Sequence, residues 1–240
     1  MSRFTKSLLR NQPLKEQAYD ALRKMILTGE LTPGQRLVEA QLARDLQVSR
    51  TPIREALGRL QRESLVMADS GGLHVATFSV DDAVQLYECR IALEQISVRA
   101  ACHKGTTAQL RKLHRLIQQS EKLVETKPSQ LLNFQLLDLD CEFHRLIAEM
   151  SGNLWLRAML DQIFDKMMLL RIQTVQQNQN VLDIRTEHFY IYTAIAQGNS
   201  DVAAEAIVNH LNAAKVRVVH ELEILFDKEK YLQVASPTTS

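Results

Sequence analysis

Asp140 and His144 stand four residues apart, so on a helix they project from one face, which also carries Leu137 and Ile147. His188 sits in the middle of the stripe Ile184, Ile191, Ile195, and His210 lies among Ala203, Ile207 and Ala214. Each of these four groups interrupts a face that should be buried, and burying ionisable groups without partners is costly. Gathering them around a divalent cation removes much of that cost. Three imidazoles and one carboxylate suit Zn²⁺ first, and also Ni²⁺, Mn²⁺ or Fe²⁺. A lone histidine on an apolar face is more often a hydrogen-bonded core residue than a ligand, so spacing alone leaves both readings open. His103, His114 and His220 fit no such pattern and read as solvated.

A second constellation lies in S-R-T-P-I-R-E-A-L-G-R-L, residues 49–60. Ile53, Ala56, Leu57 and Leu60 fall at helical spacing and form one apolar stripe. Ser49 or Thr51 can cap the helix start, and Pro52 fits its first turn. Arg50, Thr51 and Arg54 leave the first turns off that stripe. A helix that buries one side and offers Arg, Thr and Arg from its start suits a DNA major groove. The arginines could donate to guanine edges or to phosphate, with Thr51 and the helix N-terminus holding phosphate. Charge agrees. Residues 1–66 carry 12 Lys and Arg against 7 Asp and Glu, a net +5, while the remainder carries 17 against 21, a net −4. A basic first part on an acidic chain points to a polyanionic partner for that part.

Both sets need elements to hold them. Residues 14–28 carry Leu14, Ala18, Leu22 and Ile26 at helical spacing, and E-L-T-P-G stops that helix. A short helix over 39–46 and a turn at Q-V-S lead into the helix at 50–62, which makes a helix-turn-helix. Residues 64–78 hold two short β-prone runs around a Gly pair, a hairpin or wing. Gly72 and His74 of this wing are further candidates to touch DNA.

From residue 79 onward the chain reads as helical. Ser79 and Asp82 form a capping box opening a helix to about Cys102, and Thr107 opens another to about Glu125. Pro128 marks a break, and a long helix then runs to Met150, stopped by S-G-N. Helices over about 154–176, 181–197 and 201–227 complete a bundle, with 1–10 and 231–240 frayed. The fold class is therefore mainly α. A winged helix-turn-helix over 10–78 precedes an all-α helical domain over 79–230 that carries the candidate metal ligands.

With 240 residues and 45% hydrophobic content, the chain can bury a real core. Cys89, Cys102 and Cys141 have no metal-like spacing and fit small core positions in a reducing cytosol better than disulfides. The start, M-S-R-F-T-K-S-L-L-R, has no long apolar run, so no secretion signal is expected, and no run is long enough to span a bilayer. The expected location is the cytoplasm, with no membrane partner.

The first domain resembles gntR-family transcription regulators, through A-L-R-K-M-I-L-T-G-E-L-T-P-G-Q-R-L and L-A-R-D-L-Q-V-S-R-T-P-I-R-E-A-L-G-R-L. The second is similar, more loosely, to the FCD type of ligand-binding domain. The matching stretches are L-Y-E-C-R-I-A-L-E (86–94), D-C-E-F-H-R-L-I-A-E-M-S-G-N (140–153), E-H-F-Y-I-Y-T-A-I-A-Q-G-N (187–199) and N-H-L (209–211). Together they cover most of 14–215.

The resemblance implies that Asp140, His144, His188 and His210 are metal ligands and that a small carboxylate effector binds beside or on the metal. Arg90 matches a position that often faces the pocket and could pair with the carboxylate; its other reading is a salt bridge to Glu94, one turn away. The expected function is a homodimeric DNA-binding regulator, a repressor, of a palindromic operator. A metal-dependent hydrolase and a DNA-binding protein with a purely structural metal are the rivals. No separate general base is evident near the motifs, and a hydrolase would leave the first domain without a role. The chain departs from its relatives in places. A related fatty-acid regulator has a DNA-contacting arginine where Ala40 stands, the usual Gly before the wing is Ser64, and the wing lacks an arginine-rich tip.

Overall fold

The computed structural model describes residues 13–124, 130–175 and 185–235, in two units that divide between Ala76 and Thr77. The first unit contains α1 (Leu14–Leu27), β1 (Arg36–Leu37), α2 (Glu39–Asp45), α3 (Arg50–Arg62), β2 (Val66–Asp69) and β3 (Gly72–Val75). Its core is the apolar side of α1 and α3: Leu22, Ile26, Ile53, Leu57 and Leu60 are all buried, together with Leu65 and Val75. Leu14, expected to begin that stripe, is exposed.

Two helices here end without glycine. After α2, Gln47 takes a left-handed φ of 54°, its N–H bonding to Arg44 and that of Val48 to Ala43. After α3, Ser64 does the same at φ 59°, its N–H bonding to Gln61 and that of Leu65 to Leu60. Both are Schellman closures, which usually employ Gly because a Cβ crowds the left-handed conformation. Ser49 occupies the N-cap of α3 with extended backbone, but its side chain makes no capping hydrogen bond, and Thr51 lies inside the helix. Neither residue therefore caps as expected, and both are exposed.

The hairpin β2–β3 is as expected, with Val66 opposite Val75 and Asp69 opposite Gly72. A third strand was not foreseen. β1 pairs antiparallel with β3, placing Arg36 opposite His74 and Leu37 opposite Leu73. Two residues are too few to carry an alternating pattern.

The second unit holds α4 (Val80–Lys104), α5 (Thr107–Val124), α6 (Gln130–Met150), α7 (Leu154–Val175), α8 (Arg185–Ala196) and α9 (Ser200–Ala235). The Ser79–Asp82 capping box is formed in both directions. Thr106 and Gln109 make a second one at the start of α5. Gly152 at φ 66° and Gly198 at φ 70° turn the chain after α6 and α8, and Asn153 and Asn199 accept backbone N–H bonds at the next helix starts. The helix expected to end near 227 continues as α9 to Ala235, since no Gly or Pro interrupts it before Pro237. Pro128, Ile184, residues 1–10 and 236–240 lie outside the described residues.

The bundle core is lined by Val98, Leu113, Ile117, Phe143, Ile147, Ile191, Ile207 and Leu211, all buried. Cys89 is exposed rather than a core residue, and Cys102 and Cys141 are partly buried. His114 is partly buried and stacks on Tyr192, with ring centroids 5.0 Å apart; His103 and His220 are exposed as expected. No helix among the described residues is long and apolar enough to cross a membrane.

Candidate functional site

The helix periods that bury Ile147 on α6, Ile191 on α8 and Ile207 on α9 also carry the polar groups inward. Asp140, His144, His188 and His210 are all buried, and one possible ligand atom from each lies within 4.8 Å of the others. His144 Nε2 is 3.2 Å from His210 Nε2 and 3.6 Å from Asp140 Oδ1, and His188 Nε2 is 3.3 Å from Asp140 Oδ1. Phe143 stacks flat on His188 with centroids 4.0 Å apart and fixes its ring plane.

Two of the rings are oriented by a carboxylate behind them. His144 Nδ1 meets Glu94 Oε2 at 2.6 Å, and His210 Nδ1 meets Glu187 Oε2 at 2.6 Å. An ionised carboxylate only accepts, so each Nδ1 carries the proton and each neutral ring turns its Nε2 lone pair inward. The acids are themselves held ionised. Burial opposes charge on Glu94, but His144 and Arg90 outweigh it and bring its pKa to about 2. Glu187 also falls to about 2, burial being overcome by hydrogen bonds from His210 and Arg217. Burial likewise opposes charge on Asp140, yet His144 and His188 hold its carboxyl well below the usual range.

The histidines divide. Burial alone would discharge His144, but the Glu94 carboxylate wins and raises its pKa; burial lowers His188 and takes His210 down to about 3. Without a cation, one proton on His144 could serve the 3.2 Å contact with His210. It would leave Asp140 Oδ1 and His188 Nε2, both buried, with only each other at 3.3 Å and no aligned hydrogen bond among the described residues. A divalent cation serves all four atoms together, so the residues fit a metal. A carboxylate behind a ligating imidazole is also the common second layer of such sites.

Arg90 and Arg171 stand beside this cluster. Arg90 is buried and donates from Nε to Glu94 Oε1 at 2.5 Å, the salt bridge weighed as its other reading, and it also lines a small cavity next to Asp140. Arg171 Nη1 is 3.7 Å from Asp140 Oδ2. The roles of Glu187, Arg171 and Arg217 are not apparent in the sequence, and Glu94 appears there only as a partner for Arg90.

In the first unit, Ser49, Arg50, Thr51, Arg54 and Gly72 are exposed and His74 is partly so. Arg54 is not free: Nε and Nη2 both donate to Glu39 at the start of α2, the shortest contact being 3.0 Å. His74 Nδ1 lies 3.6 Å from Asp69 Oδ2. The plain wing gains a cation from elsewhere, since a Cβ on Gly72 would sit 3.8 Å from Arg36 Nε. Only the β1–β3 pairing reveals this neighbour.

Residues 85–213 match the FCD domain family, and residues 14–73 match the family described as bacterial regulatory proteins, gntR family. The chain is similar to the HTH-type transcriptional regulator YdhC of Bacillus subtilis (strain 168), with 29% identity over 212 residues, 88% of this chain and 93% of that protein. It is 26% identical over 228 residues to the HTH-type transcriptional repressor NanR of Klebsiella aerogenes, covering 85% of each. Among solved structures, a GntR transcriptional regulator from Rhodococcus sp. RHA1 superposes with a TM-score of 0.75 at 22% identity, over 86% of this chain and 97% of that one.

Proposed function

The chain belongs to the FCD-domain branch of the gntR family of bacterial transcription regulators, and from that premise we propose that it is a homodimeric repressor whose grip on a palindromic operator is set by a small carboxylate bound at a metal centre. The matched families and relatives are regulators, so the chain is a regulator and not an enzyme. Repression rests on the similarity to NanR, named as a repressor. The proposed domains are 10–78 for DNA and 79–230 for metal, effector and dimerisation.

The observation that carries the reading is the pair of buried atoms Asp140 Oδ1 and His188 Nε2, which lie 3.3 Å apart with no aligned hydrogen bond among the described residues and face two imidazoles already oriented by carboxylates. Asp140, His144, His188 and His210 would hold the cation, with zinc first by ligand chemistry. Bound there, the metal supplies a Lewis-acidic position for a carboxylate oxygen. Glu94 and Glu187 keep the rings of His144 and His210 in the ligating tautomer. An effector alters operator affinity only by binding the competent and incompetent states unequally. On the DNA side, Arg50, Thr51 and Arg54 of α3 would read bases and phosphates, with Ser49, Gly72 and His74 alongside.

The test combines the two halves. Duplexes selected from a random pool by the zinc-loaded protein are retested with a panel of small carboxylates. Some member should change operator affinity for the wild type and have no effect on Asp140→Ala. A response that persists in Asp140→Ala sinks the metal-linked effector. Unchanged selection by the double variant Arg50→Ala, Arg54→Ala sinks the reading of α3.

A further inference from the structure

Beside Asp140 lies a cavity of about 20 Å³, lined by Arg90, Leu137, Phe164, Met167, Met168 and Arg171 among others. Its two guanidinium groups are not equivalent. Arg90 is answered within the chain by Glu94. Among the described residues Arg171, also buried, has the 3.7 Å approach of Nη1 to Asp140, and its Nε and Nη2 are buried with no hydrogen-bond partner there. Those two nitrogens share one edge of the guanidinium plane, the edge that takes a carboxylate through two parallel bonds. A buried cation with that edge vacant is costly to the fold by itself.

The charges point the same way. Arg90 and Arg171 balance Glu94 and Asp140, so with neutral imidazoles the inner set sums to zero. A divalent cation leaves two positive charges uncompensated. One carboxylate of an effector would cancel only half of that.

Building on the effector reading above, we propose that the effector is a small dicarboxylate, one carboxylate directed to the metal centre and the other held on the Nε–Nη2 edge of Arg171. Leu137 and Phe164 supply apolar walls for the short carbon chain between them. Met167 and Met168, with flexible thioether side chains, can yield as the cavity widens.

The probes are two matched pairs, succinate with butyrate and glutarate with valerate, each pair equal in carbon number and differing by one charge. They are titrated calorimetrically into the zinc-loaded full-length protein. The dianion of at least one pair should bind at least about tenfold more tightly than its monoanion. Arg171→Met should abolish that preference. The zinc-loaded, ligand-free variant should melt no lower than wild type, since an unanswered buried cation has been removed; a purely structural Arg171 would give a lower melting temperature. Equal binding of monoanion and dianion by wild type overturns the dicarboxylate inference and leaves the effector reading standing. A preference that survives Arg171→Met overturns the role of that residue. If none of the four anions binds, the inference falls together with the carboxylate effector. The wild-type ratio decides even where the variant fails to fold.

Discussion

The Nε2 atoms of His144 and His210 face each other at 3.2 Å while the Nδ1 of each is held at 2.6 Å by a different carboxylate. A proton on His144 could bridge those two atoms, but a divalent cation would serve Asp140 and His188 as well. One equivalent of zinc should therefore bind, and at a free concentration near one hundred times Kd it adds about 2.7 kcal/mol. For a chain of this size that raises the melting temperature by roughly 5–10 °C. Scanning calorimetry before and after chelation measures it, and a melting curve indifferent to both zinc and chelator would reject the centre.

The carboxylates behind the rings should matter nearly as much as the ligands. Glu94→Gln and Glu187→Gln each weaken zinc binding by about 10–100-fold. The loss should be larger at Glu94, which is buried, whereas the Glu187 side chain is 30% exposed. Glu94→Gln also leaves Arg90 without its counter-charge, so it should lower the melting temperature where Glu187→Gln changes it little. Competition with a chromophoric chelator ranks the two affinities, and equal affinities for both variants and wild type would remove these residues from the site.

How much of this is legible in the sequence differs by residue. The four ligand positions show themselves because each breaks an apolar stripe on a helix with a clear period. Arg90, Glu94 and Ser97 do not, because three polar residues at helical spacing carry no sign of burial. In the structure they are its buried side, while Cys89 and Ile96 face out. Periodicity reports which residues share a face and is silent on whether a charged face turns inward to meet other charges. The helix-turn-helix was readable from turns and stripes. Strand β1 was not, since Arg36 and Leu37 acquire their meaning only from β3.

Ser64 offers a test of backbone strain. Its left-handed φ should make Ser64→Gly stabilising by about 0.5–1 kcal/mol, part of the left-handed cost being offset by the greater freedom of Gly in the unfolded chain. Ser64→Val should destabilise, since a β-branched residue suits that conformation poorly. Urea melts of the DNA-binding unit's transition read both, and a Gly variant less stable than wild type would contradict the assignment.

Tyr19 donates its hydroxyl to Glu63 at 2.8 Å under the guanidinium of Arg59. Burial and the Glu63 carboxylate together push its pKa from 10.0 up to about 12. The folded state therefore keeps a proton that the unfolded chain has released. The contribution is intact below pH 10 and fades as pH rises from about 10 to about 12. Tyr19→Phe should flatten that part of the stability profile, and a phenol that titrates with the free tyrosines in an absorbance titration would refute it.

Arg54 and Glu39 connect the two helices of the DNA-binding motif. Because Nε and Nη2 donate to Glu39, the fork at Nη1 and the second Nη2 proton remains for a base edge. Glu39→Gln should leave the melting temperature within about a degree, as expected for an exposed pair, yet broaden base preference at one position of the selected duplex. Arg54→Ala should reduce affinity for the preferred duplex roughly 10–100-fold. Identical preferences for Glu39→Gln and wild type would show that Glu39 does not aim the arginine.

The cavity beside Asp140 has room for about one water molecule. If the proposed four-carbon dianion binds here, Met167 and Met168 must shift to admit it, so its capture should level off with concentration at the rate at which those side chains move. A regulator loaded in that way would respond to sustained rather than brief changes in its signal.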